Sequence, residues 1–221
     1  VVEDAAKAQE QPNADSGVFI TFEGGDGVGK STQVDALDSW LQANGYNVVR
    51  TREPGGTVLG EQLRGLLLHG DDVDPRAEAL MYAADRAHHI ATVVRPALAQ
   101  GAVVIQDRYI DSSVAYQGAG RVLDADEIAA ISDWATEGLM PDLTVLLDLD
   151  PRLGQQRRQQ AQRRDDRLER EASVFHERVR EGFLLQARKH PERYLVLDAT
   201  QDPTTLEQQI CDEVKSLVGI E

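Results

Sequence analysis

The octapeptide Gly24-Gly25-Asp26-Gly27-Val28-Gly29-Lys30-Ser31 fits the pattern G-x-x-x-x-G-K-[ST] in full, and Thr32 follows it. No other feature constrains the fold as much, because the pattern works in one setting. A strand must deliver the chain and a helix must carry it away, so that backbone N–H groups converge on an anion at the helix N-terminus. Both flanks fit. Val18–Phe22 is a short apolar strand, and Val34, Leu37 and Leu41 repeat at helical spacing. Glycines let the backbone wrap round phosphate. Lys30 is expected to bridge the β and γ phosphates of a nucleotide and Ser31 to place its hydroxyl on Mg²⁺. The expected ATP contacts therefore run from Gly24 to Thr32.

The rest of the chain repeats the strand-then-helix rhythm. Further strands are expected at Asn47–Thr51, Ala102–Gln106, Leu143–Asp148 and Tyr194–Asp198. All are short and mostly apolar on both faces, the form of a buried parallel sheet with helices on both sides. Asp74-Pro75, Asp150-Pro151 and Asp202-Pro203 each place a capping carboxylate before a proline at the first helical position. Asp124 with Glu127 resembles a capping box. Residues 75–100 read as one long helix that Pro96 kinks or ends. Trp40 and Trp134 read as packing residues on helices, and Cys211 as a partly buried helix residue.

Charge narrows the function classes. The 221 residues carry 23 Lys+Arg against 38 Asp+Glu, a net −15. Such a chain is not expected to coat nucleic acid or an anionic membrane by bulk electrostatics. A local basic cleft for a small anion remains open to it. A single cysteine excludes an intrachain disulfide framework and suits a reducing cytoplasm. Residues 1–16 are polar and begin Val-Val, and read as a flexible leader or linker. Residues 17–221 read as one domain.

Three further segments carry chemistry. Thr51-Arg52-Glu53-Pro54-Gly55-Gly56-Thr57 follows the second strand, where open parallel sheets bind ligands. It also reads as a Pro-Gly-Gly turn with solvated charges. In Leu80-Met81-Tyr82-Ala83-Ala84-Asp85-Arg86, Tyr82 and Arg86 share one helical face. A ring and a guanidinium there suit a flat heterocycle, although a core tyrosine and a surface arginine would show the same spacing. In Gln106-Asp107-Arg108-Tyr109, Asp107 ends an apolar strand, where a carboxylate can orient Mg²⁺ or its waters. It can equally cap a helix. Arg108 can clamp a phosphate through its planar fork.

Together these strings, with D-R-Y-I-D-S-S-x-A-Y-Q-G over residues 107–118, closely resemble the bacterial thymidylate kinases. The resemblance runs from about Gly17 to Ile220. It implies a phosphate-loop NTPase fold, α/β, with a five-stranded parallel sheet flanked by helices on both faces and a lid near residues 152–170. It implies transfer of a phosphoryl group from ATP to dTMP, giving dTDP, with Mg²⁺ as cofactor, for dTTP synthesis, and a homodimer. By the same resemblance Tyr82 stacks on thymine and Arg86 bonds a thymine carbonyl. Arg108 holds the acceptor phosphate, and Asp26 lies near the acceptor sugar and phosphate. Arg52, Glu53 and Arg64 line the acceptor site. Ser113, Tyr116 and Gln117 surround base and deoxyribose, a tyrosine there excluding a ribose hydroxyl. Metal-binding falls to Ser31 and Asp107.

Residues 152–170 hold seven arginines, an anomaly in an acidic chain. Members of the family carry a catalytic arginine either in the phosphate loop or in the lid. Residues 25–28 contain none, so the chain is expected to be of the lid type, with Arg163 or Arg164 reaching the reaction. Arg167 equally suits a structural ion pair, and the whole stretch also reads as a solvated helix face. The catalytic set is Lys30, Asp26, Arg108, Arg163 and Arg164. His88 and His89 lie on different helix faces and are not expected to bind metal. Two rivals stay open. One is a kinase of another nucleoside or nucleoside monophosphate, with Glu53 as a possible base. The other is a nucleotide-binding regulator without turnover.

Overall fold

The computed structural model describes residues 17–162 and 165–220. The expected leader lies outside the described residues, as do Arg163 and Arg164.

Five parallel strands form one sheet: β1 (Val18–Glu23), β2 (Val48–Arg52), β3 (Val103–Asp107), β4 (Leu143–Asp148) and β5 (Tyr194–Asp198). Their order is β2-β3-β1-β4-β5. Phe22 pairs with Asp107 on one side and Val145 on the other, so β1 is central. Its two neighbours are reached by crossovers that leave in opposite directions. The carboxyl end of β1 is thus the switch point of the sheet, where ligands bind in folds of this kind.

Alternation along the strands divides the core. Ile20, Phe22, Ile105, Val145 and Leu147 face α1 (Lys30–Ala43) and α9 (Pro203–Val218), meeting Leu37, Leu41, Ile210 and Val214. Phe19 and Val104 face the other way, onto Ile90, Val94 and Tyr109. Leu146 meets Tyr116, Phe175, Val179 and Phe183, the last three from α8 (Ser173–Lys189). The helix starts follow the expected capping. Asp74 accepts from Arg76 N and Ala77 N, Asp150 from Arg152 N, and Asp202 from Thr204 N. Asp124 accepts from Asp126 N and Glu127 N at the start of α6 (Ala125–Thr136).

Three expectations change, and a fourth is refined. The strands are not apolar on both faces, because Thr21, Gln106 and Thr144 form a buried polar stripe across the sheet. Thr21 donates to Thr144 at 3.0 Å, which satisfies both hydroxyls without solvent. The refined one is the helix expected over residues 75–100, which runs unbroken as α3 (Pro75–His89), a π-helical stretch Ile90–Val94 and the short α4 (Arg95–Leu98), its regularity ending near Pro96 as expected. Pro96 has no N–H for the regular ladder, and the π turns immediately before it absorb the mismatch. Trp134 is not a packing residue: it is 81% exposed. Cys211 is buried rather than partly so. Trp40 packs half-buried against the core. Among the described residues, no helix is long and apolar enough to cross a membrane.

Candidate active site

The phosphate loop leaves β1 at Glu23 and enters α1 at Lys30. Two glycines are required by close approach as well as by conformation. Gly24 has φ +129° and Gly27 +79°. A Cβ on Gly24 would lie 2.5 Å from the Leu147 carbonyl oxygen, and one on Gly27 2.3 Å from that of Gly154. Lys30 is buried and donates to the carbonyls of Gly24 (3.0 Å) and Gly25 (2.9 Å). Its ammonium is thus held over the loop, and burial with the nearby Arg108 lowers its pKa.

Arg108 is fastened to that loop. It donates to the Gly24 carbonyl at 3.2 Å, to Ser112 Oγ at 3.1 Å and to Asp26. Its guanidinium lies 5.0 Å from the Tyr116 ring centre. Asp26 accepts from Tyr116 OH through its other oxygen at 2.9 Å. Burial alone would raise the Asp26 carboxyl, but Arg108 and Lys30 outweigh it and hold it at about 2. The Arg108 backbone has φ +68°, left-handed and unusual for a residue with a side chain. Its N–H donates to the Phe22 carbonyl and its own carbonyl accepts from Gln106, so the buried polar stripe holds this strained position.

Below it lies Glu23, which sequence reasoning did not single out. It is fully buried and accepts from Tyr109 N (2.7 Å), Ser112 N (3.3 Å) and Ser112 Oγ (2.6 Å). Burial, then Asp111, push its carboxyl up to about 8. The folded protein therefore keeps a proton that the unfolded chain releases above its ordinary value of 4.5. Stability from this group is full below that value and is lost as pH rises through about 8. Glu23→Gln should flatten this slope, measured as melting temperature between pH 5 and about pH 9. An unchanged slope would assign the loss to other groups.

The far wall of the cleft is built on Glu53. One of its oxygens accepts from Arg86 Nε at 2.8 Å and the other meets His89 Nδ1 at 3.0 Å. His89 Nε2 is 2.6 Å from Thr51 Oγ1. Gly56 closes against this ring, since a Cβ there would lie 2.4 Å from Nε2. The Pro-Gly-Gly turn is thus real and serves to clasp a buried Glu–His pair. Both Glu53 oxygens are engaged, one by Arg86 and one by His89, so the carboxylate is fixed in the wall of the cleft. His88 is exposed and His89 buried, as their different faces required. Arg86 is not a surface arginine. It is 1% exposed and also donates to Ser132 Oγ, Ser113 Oγ and the Tyr109 carbonyl. Four of its five N–H groups are engaged among the described residues, which leaves one on Nη1. Arg64 donates to the Pro54 carbonyl at 2.9 Å, and Arg52 pairs with Glu61 at the rim.

One cleft of about 470 Å³ gathers these groups. Its lining includes Asp26–Thr32, Arg52, Glu53, Arg64, Tyr82, Arg86, Asp107, Arg108, Ser113, Tyr116 and Gln117. Gly24 and Gly25 stand behind it and do not line it. Among the described residues Asp107 Oδ1 is buried without a hydrogen-bond partner, and Ser31 lines the same space. A divalent cation or its waters would satisfy that oxygen, and Mg²⁺ bound through one carboxylate and substrate phosphates needs no larger cluster. The donor set fits such an ion.

The arginine-rich segment is no solvated face throughout. Arg158, in α7 (Pro151–Gln160), is buried and donates to the Asp26 carbonyl at 3.1 Å. It is a contact to the phosphate loop that the Arg157-Arg158 doublet alone did not reveal. Arg167 is the structural ion pair that was one of its two readings: it is buried and donates to Glu78 and to the Leu67 carbonyl.

With this geometry in view, the comparisons with known proteins agree. The thymidylate kinase family model matches residues 22–210. The thymidylate kinase of Clavibacter michiganensis subsp. michiganensis is 59% identical over 205 residues, covering 92% of this chain and 97% of that protein. That of Leifsonia xyli subsp. xyli is 62% identical over 191 residues, 86% of this chain and 90% of the relative. The crystal structure of thymidylate kinase from Ehrlichia chaffeensis superposes with a TM-score of 0.76 at 34% identity, covering 90% of this chain and 99% of that one. The chain therefore belongs to the thymidylate kinase family.

Proposed function

We propose that the chain transfers the γ-phosphoryl group of ATP to dTMP, giving ADP and dTDP. One observation carries this reading. A single cleft joins the phosphate loop to a wall bearing Tyr82, Arg86 and Gln117, and Arg108 is anchored between Gly24 and Ser112. Loop N–H groups and Lys30 hold the donor phosphates. Arg108 holds the acceptor phosphate, with Asp26 and Tyr116 fixing the guanidinium. An oxygen of the acceptor phosphate bonds to the γ phosphorus as its bond to the β-bridging oxygen breaks, and ADP leaves. That oxygen is already anionic, so no side chain need take a proton, and placed positive charge is what the transfer requires. Ser31 and Asp107 would hold Mg²⁺, which would offset the charge of the donor phosphates. Tyr82 stacks on the base and the remaining Arg86 N–H meets a base carbonyl.

Residues 152–170 act as the lid of a domain spanning 17–221, with Arg163 or Arg164 supplying charge to the moving group. Arg163→Ala and Arg164→Ala, made singly, should lower kcat at least tenfold in one case with ATP affinity little changed. Wild-type rates in both would remove the lid-arginine reading. A homodimer is part of the proposal, supported by exposed Leu80 on α3 and Trp134 on the adjoining α6. So is a cytoplasmic location, supported by the lone free Cys211. The deciding assay offers ATP, Mg²⁺ and dTMP, dCMP, dGMP or UMP. Preference for dTMP is expected, and its absence would sink the reading.

A further inference from the structure

Glu78 lies on α3, so far named only as the partner of Arg167, yet it is fully buried and accepts four side-chain hydrogen bonds. One oxygen accepts from Gln117 Nε2 at 2.9 Å and from Arg121 Nε at 3.3 Å. The other accepts from Arg121 Nη2 at 3.2 Å and from Arg167. Burial would raise this carboxyl, but Arg121, Gln117 and Arg167 outweigh it and keep the pKa below the ordinary value. An ionised carboxylate accepts only, so it dictates the orientation of the Gln117 amide. Nitrogen must face Glu78, and oxygen is the end left for the cleft that Gln117 lines.

The consequence is chemical selectivity. Arg86 keeps one N–H donor, and the oriented Gln117 offers an acceptor. A donor with an acceptor matches a base edge with a carbonyl beside an N–H. Thymine and uracil have that imide edge. Cytosine has an acceptor at N3 and an amine at C4, so the same pair meets it with like groups opposed. A polar site that leaves its groups unpaired discriminates strongly against the wrong ligand.

We infer that Glu78 is a positioning residue for base selectivity, holding the Gln117 carbonyl towards the acceptor base so that the site prefers an imide over cytosine. This rests on the proposed dTMP kinase reading. Glu78 touches no substrate itself and acts through Gln117. Its contact with Arg167 also ties residues 165–172 to α3, so a test must separate orientation from support.

The experiment compares kcat/KM for dTMP, dUMP and dCMP in the wild type and in Glu78→Gln, with KM for ATP and the melting temperature. In Glu78→Gln the dTMP-to-dCMP ratio should fall at least tenfold. The dTMP-to-dUMP ratio should stay within twofold, because both bases keep the imide, and KM for ATP should do likewise. In a Gln117→Ala background, Glu78→Gln should no longer change the dTMP-to-dCMP ratio. A support role alone would lower all three rates together, and an unchanged dTMP-to-dCMP ratio would overturn the inference whatever the melting temperature does. If Glu78→Gln does not fold, Gln117→Ala alone decides, since it leaves Glu78 paired with both arginines. It must lower that ratio, and failure to do so overturns the inference. A wild type without preference for dTMP would instead remove the underlying kinase reading, and this inference with it.

Discussion

Arg108→Ala should lower kcat/KM for dTMP by about 10³-fold, roughly 4 kcal/mol at 1.36 kcal/mol per decade. Truncating one partner of a buried, hydrogen-bonded charge pair costs about 2–5 kcal/mol, and here the same group is proposed to hold the acceptor phosphate. Its removal takes away the strongest influence holding the buried Asp26 carboxyl down and leaves Lys30, Tyr116 and Arg158 as its company. ATP affinity should change less, by under about tenfold, because Lys30 and the loop backbone remain. The Gly24 contact makes a small ATP effect expected rather than none. Arg108→Lys should fall between, keeping charge but losing the fork that meets Gly24, Asp26 and Ser112 together. Steady-state kinetics with each substrate varied, plus nucleotide titration, decide it. Equal loss for ATP and dTMP would mean that Arg108 supports the loop and not the acceptor.

Arg86→Ala should affect folding as well as turnover. Arg86 supplies four hydrogen bonds from a buried position at the cleft wall, and Glu53 loses its charged partner if it goes. Breaking a buried ion pair from one side costs about 3–5 kcal/mol. The measurement is urea unfolding with midpoint and slope. Arg86→Lys should recover little, since one ammonium cannot reach Glu53, Ser132, Ser113 and the Tyr109 carbonyl at once. A change below about 1 kcal/mol would show that water or His89 can replace the guanidinium.

The fold was largely legible because its signals are local. An apolar strand before G-x-x-x-x-G-K-[ST] and an Asp-Pro pair before a helix act within a few residues. Their geometry is set by steric limits and by N–H groups needing partners. The site was half legible. Tyr82 and Arg86, four apart on one helix, line one cleft as their shared face implied. Lys30, Ser31, Asp107 and Arg108 follow from their places at strand and helix ends.

What could not be read was which charges find each other across the sequence. Glu23 meets Ser112 across 89 positions, Glu78 meets Arg167 across the same span, and Asp26 meets Tyr116 across 90. Glu23 and Glu78 on their own each read as one acid among 38. The sheet order β2-β3-β1-β4-β5 and the packing of α3 beside the π-helical segment Val114–Gly120 brought them together.

The sequence by itself thus determined the phosphate loop, the alternating architecture and the kind of ligand, because backbone rules and motif spacing are short-range. Tertiary structure alone decided that Glu53 clasps Arg86 and His89, that Arg167 pairs with Glu78, and which end of the Gln117 amide meets that carboxylate. Those outcomes depend on burial, and a buried polar group must satisfy itself with whatever partner the fold provides.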